Sequence, residues 1–200
     1  MKEINEKIKN SEFLGSNLRW YDVLRAVKKS EECTQYMGLH KVTNRIVTIY
    51  KYVNASGNTK PSRALKQTEM ILKKFSHCEY LPQLLDLFRE RKDVYMVTNN
   101  FNGISLKKWT KSNEISEDVA RLVFFRICKG VSHMHKSNIF HKSLNLTNIF
   151  IEGGNQIMIR GIRTARLLNL ETSDKFSNYH KYLAPEVFDE EAFLGLPVDI

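Results

Sequence analysis

His141-Lys142-Ser143-Leu144-Asn145-Leu146-Thr147-Asn148 is a polar octet set between Phe140 and the apolar run Ile149-Phe150-Ile151. The rest of the chain can be laid out from it. Downstream, Glu152-Gly153-Gly154-Asn155 separates Ile149–Ile151 from Gln156–Ile159, which predicts a hairpin turning on the glycine pair. Upstream, Ser116 followed by Glu117 and Asp118 places an oxygen cap and two acids at the start of a helix. Val119, Leu122, Val123, Ile127, Val131 and Met134 then recur at helical spacing, predicting a long buried helix over 116–136. Further toward the N-terminus, Leu84–Phe88 and Val94–Thr98 flank the charged run Arg89–Asp93, a hairpin with a solvated tip. Pro61 suits the first turn of a helix reaching about Phe75, with Leu65, Thr68 and Leu72 on one face. Arg45–Val53 is the richest strand, and Trp20–Val27 and Gln35–Leu39 are shorter ones. A strand-rich half carrying one helix thus precedes a helical half carrying a hairpin, an α+β order.

Composition narrows the class. Of 200 residues 42% are hydrophobic and 26% charged, with nine glycines and four prolines, so disordered and fibrous readings are excluded. No apolar run approaches the ~20 residues that cross a bilayer. Met1–Asn10 alternates charge where a signal peptide would be apolar, so a soluble, cytoplasmic chain is expected. Cys33, Cys78 and Cys128 form no CxxC pair, and His133, His135 and His180 have no ligand spacing, which predicts no metal and leaves these histidines to solvent or packing. The net charge of +9 attracts acidic partners, but its lysines and arginines are scattered and no nucleic-acid signature accompanies them. No specific nucleic acid is expected as a partner.

The octet and other stretches in order around it resemble the signatures of the eukaryotic protein kinase domain, over about Tyr21 to Ile200. His141–Asn148 is similar to the H-R-D-L-x-x-x-N catalytic loop. Gly161-Ile162-Arg163, thirteen residues beyond Asn148, stands where the family carries D-F-G. Ala184-Pro185-Glu186 resembles A-P-E, and Val198-Asp199-Ile200 the start of the D-x-W segment. Val47-Thr48-Ile49-Tyr50-Lys51 is similar to the V-A-I-K strand, and Val94 to Leu106 to the fifth strand and hinge. The resemblance implies a bilobal kinase-like fold: a polar leader over 1–19, a strand-rich N-lobe with helix C and hinge over 20–101, and a mainly helical C-lobe over 102–200 that stops before the family's last helices. It places Val27, Lys51, Thr68, the gatekeeper Thr98, Asn99, Phe101 and Arg163 at nucleotide-cleft positions. Thr172, Ser173, Ser177 and Tyr179 become candidate phosphorylation sites in the activation segment that ends at Ala184-Pro185-Glu186.

Phosphoryl transfer is mostly positioning and charge neutralisation, so its parts can be checked singly. The phosphate-covering loop needs glycines so that backbone N–H groups can approach closely, yet Lys28–Cys33 has none and carries Glu31 and Glu32. Ser143 replaces the aspartate that accepts the substrate hydroxyl proton, a step worth ~10² to 10⁴ in rate. Gly161 replaces the aspartate that holds magnesium, leaving Asn148 as one neutral oxygen, a poor site for a hard ion. Asn145 replaces the catalytic-loop lysine. Lys51 is retained, but Thr68 falls at the helix-C glutamate position and Glu69 lies one residue off, turned about 100°. A Lys51–Glu69 pair is therefore expected to be absent or distorted. His141 is read as a core histidine bonding backbone, Ile162 as a spine residue, and Arg163 as a side chain able to reach Glu31, Glu32 or Asn148.

These substitutions, and the glycine-led triplet at 161–163, make the chain similar to mixed lineage kinase domain-like pseudokinases, and to their short viral homologues in lacking a helical bundle ahead of the domain. The resemblance implies weak or no ATP and magnesium binding. It also implies a decoy role, sequestering a receptor-interacting protein kinase and so inhibiting necroptosis, with no membrane activity. Lys142 would be a weaker phosphate partner than the family's arginine. Two alternatives remain open: a residually active serine/threonine kinase rescued by a displaced acid such as Glu69 or Asp174, and a nucleotide sensor without transfer.

Overall fold

β-branched and aromatic side chains alternating along the N-terminal half form five antiparallel strands, because a pleated surface buries every second residue. These are β1 (Tyr21–Lys29), β2 (Cys33–His40), β3 (Arg45–Tyr52), β4 (Leu84–Glu90) and β5 (Asp93–Asn99), in the sheet order β1-β2-β3-β5-β4. The structure, a computed structural model, describes residues 20–30, 33–53, 63–75, 77–90 and 93–167, with Tyr182 and Asp199. The leader 1–19, Glu31, Glu32, Thr172, Ser173, Asp174, Ser177, Tyr179, His180 and Ala184-Pro185-Glu186 lie outside the described residues.

Contacts divide the chain into two units, residues 1–62 with 84–100 and residues 63–83 with 101–200. In the first, the sheet curls until its edge strands meet: the Tyr21 ring stacks on Phe88 at 6.1 Å, and its hydroxyl donates to Asp86 Oδ2 at 3.2 Å. Tyr21, Val23, Val47, Ile49, Tyr95 and Val97 fill the concave side. Burial and the neighbouring Asp86 carboxylate push the Tyr21 phenol well above its ordinary pKa.

The second unit begins with helix α1 (Arg63–Lys74), expected in the N-lobe but packed against a 3-10 turn at Ile162–Thr164. Leu65, Thr68, Ile71 and Leu72 are buried along the helix. Then follow β6 (Ile104–Ser105), α2 (Leu106–Ser112), α3 (Glu117–Lys136), β7 (Ile139–Phe140), β8 (Ile149–Glu152), β9 (Gln156–Ile159) and β10 (Arg166–Leu167). The Ser116 hydroxyl caps α3 by accepting from Val119 N at 3.4 Å. Two expectations are corrected. α3 is not buried along its length: Val123, Gly130 and Met134 are, while Leu122, Phe124 and Phe125 are exposed. The β8–β9 hairpin forms, but through a 3-10 turn over Gly153–Asn155 in which Asn155 takes the left-handed conformation (φ 57°), a state asparagine tolerates.

Candidate functional site

Short strands β7 and β8 hold the octet at both ends, so its polar side chains must satisfy one another inside the second unit. His141 is fully buried. Its Nδ1 accepts from Ser143 N at 3.3 Å, which leaves Nε2 protonated to donate to Arg160 O at 2.8 Å. Burial holds the imidazole pKa below its ordinary value, against the opposing pull of the Asp199 carboxylate. That carboxylate accepts from His141 N at 2.5 Å and Lys142 N at 3.0 Å, and from His135 Nε2 at 3.1 Å. His135, expected to meet solvent or packing, thus faces a buried acid.

Ser143 sits at the centre of an amide cluster. The Asn148 amide nitrogen donates to Ser143 O at 2.8 Å and to its Oγ at 3.1 Å, and the Asn145 amide nitrogen does the same at 3.1 and 3.3 Å. Asn145 Oδ1 in turn accepts from Thr147 N, Thr147 Oγ1 and Asn148 N. Asn145, which was expected only as a lost lysine, is the residue that shapes the loop: it is 4% exposed and bonded at both ends of its amide. Gly161 takes φ 91°, and a Cβ there would lie 2.9 Å from Asn148 Nδ2. A carboxylate at 161 would collide with the amide that orders the loop.

Ile162 is buried in the following turn, and Thr164 Oγ1 donates to His141 O at 3.0 Å, tying the 161–163 triplet to the octet. Arg163 O accepts from Arg166 Nη1 at 3.0 Å. Of the partners expected for its guanidinium, Glu31 and Glu32 are outside the described residues. Just before the triplet, Arg160 lays its guanidinium over the Phe150 ring, 4.2 Å from the centroid, and donates to Phe101 O at 2.8 Å.

The expected cleft residues fall in both units: Val27, Lys51, Thr98 and Asn99 in the first, Thr68, Phe101 and Arg163 in the second. Within the first unit the strand register sets which of these side chains share a face. β3 and β5 pair without a bulge, Thr48 opposite Thr98 and Lys51 opposite Tyr95. Because faces alternate along a strand, Lys51 lies on the concave face with Ile49 and Val97, and Thr98 lies on the other. Lys51 forms an ion pair with Asp93 at 3.1 Å on that concave face, while in the second unit Glu69 pairs with Lys73 at 2.6 Å along α1. On β3 and β5, Thr98's face is shared by Thr48, Tyr50, Tyr52, Val94 and Met96. The four letters V-A-I-K, laid without a gap from Val47, end on Tyr50, the signal by which this register was legible. Between the end of β1 at Lys29 and the start of β2 at Cys33, Ser30 N and Oγ each donate to Cys33 O at 2.9 Å. Val27 is exposed, Asn99 ends β5, and Thr68 is buried in α1.

Among the described residues no group of three or more His, Cys, Asp or Glu is arranged to hold a metal ion, and no helix is long and apolar enough to cross a membrane. The sequence matches the protein kinase domain over residues 27–200. It is 28% identical over 183 residues to the CaM kinase-like vesicle-associated proteins of Danio rerio and Homo sapiens, covering 90% of this chain and 41% and 36% of theirs. It is 24% identical over 186 residues to the serine/threonine-protein kinase SIK1 of Rattus norvegicus, covering 90% of this chain and 24% of that one. The chain spans less than half the length of these relatives.

Proposed function

The chain belongs to the protein kinase domain family, and from that premise we propose that it is a catalytically silent member, a pseudokinase that works by binding protein. The observation that carries this reading is the amide cluster at Ser143. The hydroxyl standing at the general-base position accepts hydrogen bonds from two asparagine amides, and a hydroxyl is too weak a base for the step. Two further positions support it: Gly161 offers no carboxylate to a metal, and Tyr50, on the gatekeeper's face, stands where the phosphate-pairing lysine belongs. Magnesium-ATP does not fit these residues. Hard divalent ions want several oxygen ligands, and of the two family ligand positions only Asn148 keeps a side-chain oxygen, Gly161 having no side chain.

The partner we propose is an active receptor-interacting protein kinase in the cytoplasm, held by this chain so that necroptosis is inhibited. That choice rests on the similarity of the 161–163 triplet and the missing aspartate to mixed lineage kinase domain-like pseudokinases. The test is incubation of the purified chain with radiolabelled ATP, magnesium and a peptide library, alongside pull-down of the receptor-interacting kinase. No incorporation above buffer and recovery of the kinase are expected. Incorporation abolished by Asn148→Ala would establish the residually active reading instead, and failure to recover the kinase would remove the partner.

A further inference from the structure

We propose that Arg160 is a built-in occupant of the aromatic surface on which a flat base would lie, so that the second unit fills its own base-stacking site. The inference deepens the pseudokinase reading and rests on it. Three observations carry it. Arg160 is pinned at its backbone, N donating to Asn148 O at 2.7 Å and O accepting from His141 Nε2 at 2.8 Å, so its side chain leaves in a fixed direction. The guanidinium carbon lies 4.2 Å from the Phe150 ring centroid, well inside the ~6 Å range of a cation–π contact. Its Nη2 also donates to the main-chain carbonyl of Phe101 at 2.8 Å.

A planar group stacked on an aromatic face, with an edge N–H on a backbone carbonyl, makes the same pair of contacts as an amino-bearing nucleobase. The ligand class that competes for this surface is therefore a flat, uncharged heteroaromatic such as a nucleoside. A triphosphate gains nothing over it, because within the second unit positions 143 and 161 offer no carboxylate to a phosphate-bound metal. In the parent chain such a ligand must first displace Arg160, losing the stack and the hydrogen bond. Removing the side chain takes the guanidinium off the Phe150 ring.

Calorimetric titration with adenosine, and with ATP in the presence of magnesium or of chelator, tests this on the parent, Arg160→Ala and Arg160→Lys. Arg160→Ala should bind adenosine at least about tenfold more tightly than the parent, the equivalent of about 1.4 kcal/mol. The gain should be the same for ATP and indifferent to magnesium, with Arg160→Lys between the two. Equal adenosine affinity in parent and Arg160→Ala overturns the proposal, as does tighter binding by the parent. Should Arg160→Ala fail to fold, the parent's Arg160 Nε–H proton decides: a ring-current shift from Phe150 is expected in its NMR signal, and a random-coil position overturns the stack. Detected phosphotransfer would sink the pseudokinase reading, whereas unchanged adenosine affinity without transfer sinks this inference alone.

Discussion

Gly161 shows how one residue type fixes what the loop can do. An L side chain at φ 91° is strained, and here its Cβ would also meet the Asn148 amide at 2.9 Å. Restoring the family's acid by Gly161→Asp should therefore lower unfolding free energy by about 1–3 kcal/mol and bring no magnesium-dependent thermal shift. Urea denaturation with and without magnesium checks both halves, and a stabilised, magnesium-responsive variant would contradict them. His141 gives a prediction with a sign. Its folded pKa is depressed by burial below 6.5, so below that value the unfolded chain binds the extra proton. The stability this neutral imidazole contributes is complete above pH 6.5 and is lost as the pH falls toward the folded pKa. An NMR titration of the ring nitrogens should place the His141 transition below that of an unperturbed imidazole, with the neutral ring's proton on Nε2, and a transition raised above it would refute the assignment.

Elements follow the same logic through close approach. Gly130 lets α3 lie against β9: a Cβ there would come 2.7 Å from Ile159 Cδ1 and 3.0 Å from Tyr80 Cβ, beside the 2.8 Å bond from Ile159 N to Tyr80 O. Gly130→Val should cost about 1–3 kcal/mol by overpacking, whereas Ser132→Ala, exposed on the same helix, should change little. Thermal unfolding of the pair checks this, and equal midpoints would show that the seam is loose. Elements with many patterned residues were legible in the sequence. The five strands, α1, α3 and the β8–β9 hairpin all follow from periodicity, with ends displaced by one or two residues. α2 was missed because Leu106-Lys107-Lys108-Trp109 offers a single buried residue, and a seven-residue helix has too few turns to show a face. β7 and β10 are two residues each and pair only because the chain returns from far along the sequence, as Arg166 to Phe140. The exposed Phe124 and Phe125 could not be foreseen, since periodicity locates a helix but not which of its faces meets a partner.

Across the whole chain, what sequence could not supply is the geometry that ties distant segments together. The positions of Ser143, Asn148 and Gly161 were readable from spacing, but the face of Lys51 depended on the β3–β5 register, and Arg160 matched no motif at all. Asp199 is the clearest long-range tie. Its carboxylate, 1% exposed, reaches back 58 and 57 residues to the N–H groups of His141 and Lys142, and 64 to His135. Two of those donors belong to the octet, one of them on Lys142, which is itself held at φ 64° and 4% exposed. Truncating the acid leaves both amides buried without an acceptor, which costs far more than a surface contact. Asp199→Ala should destabilise the chain by about 3–5 kcal/mol and shift the amide signals of His141 and Lys142. Asp199→Asn, keeping one acceptor oxygen, should lose about half as much, and His135→Ala, at the more exposed end of the pair, about 1 kcal/mol or less. Chemical denaturation of the three variants gives the ordering. If Asp199→Ala unfolded at the parent's midpoint, the octet would hold its shape through its own amide cluster alone, and the tie to residue 199 would carry no stability.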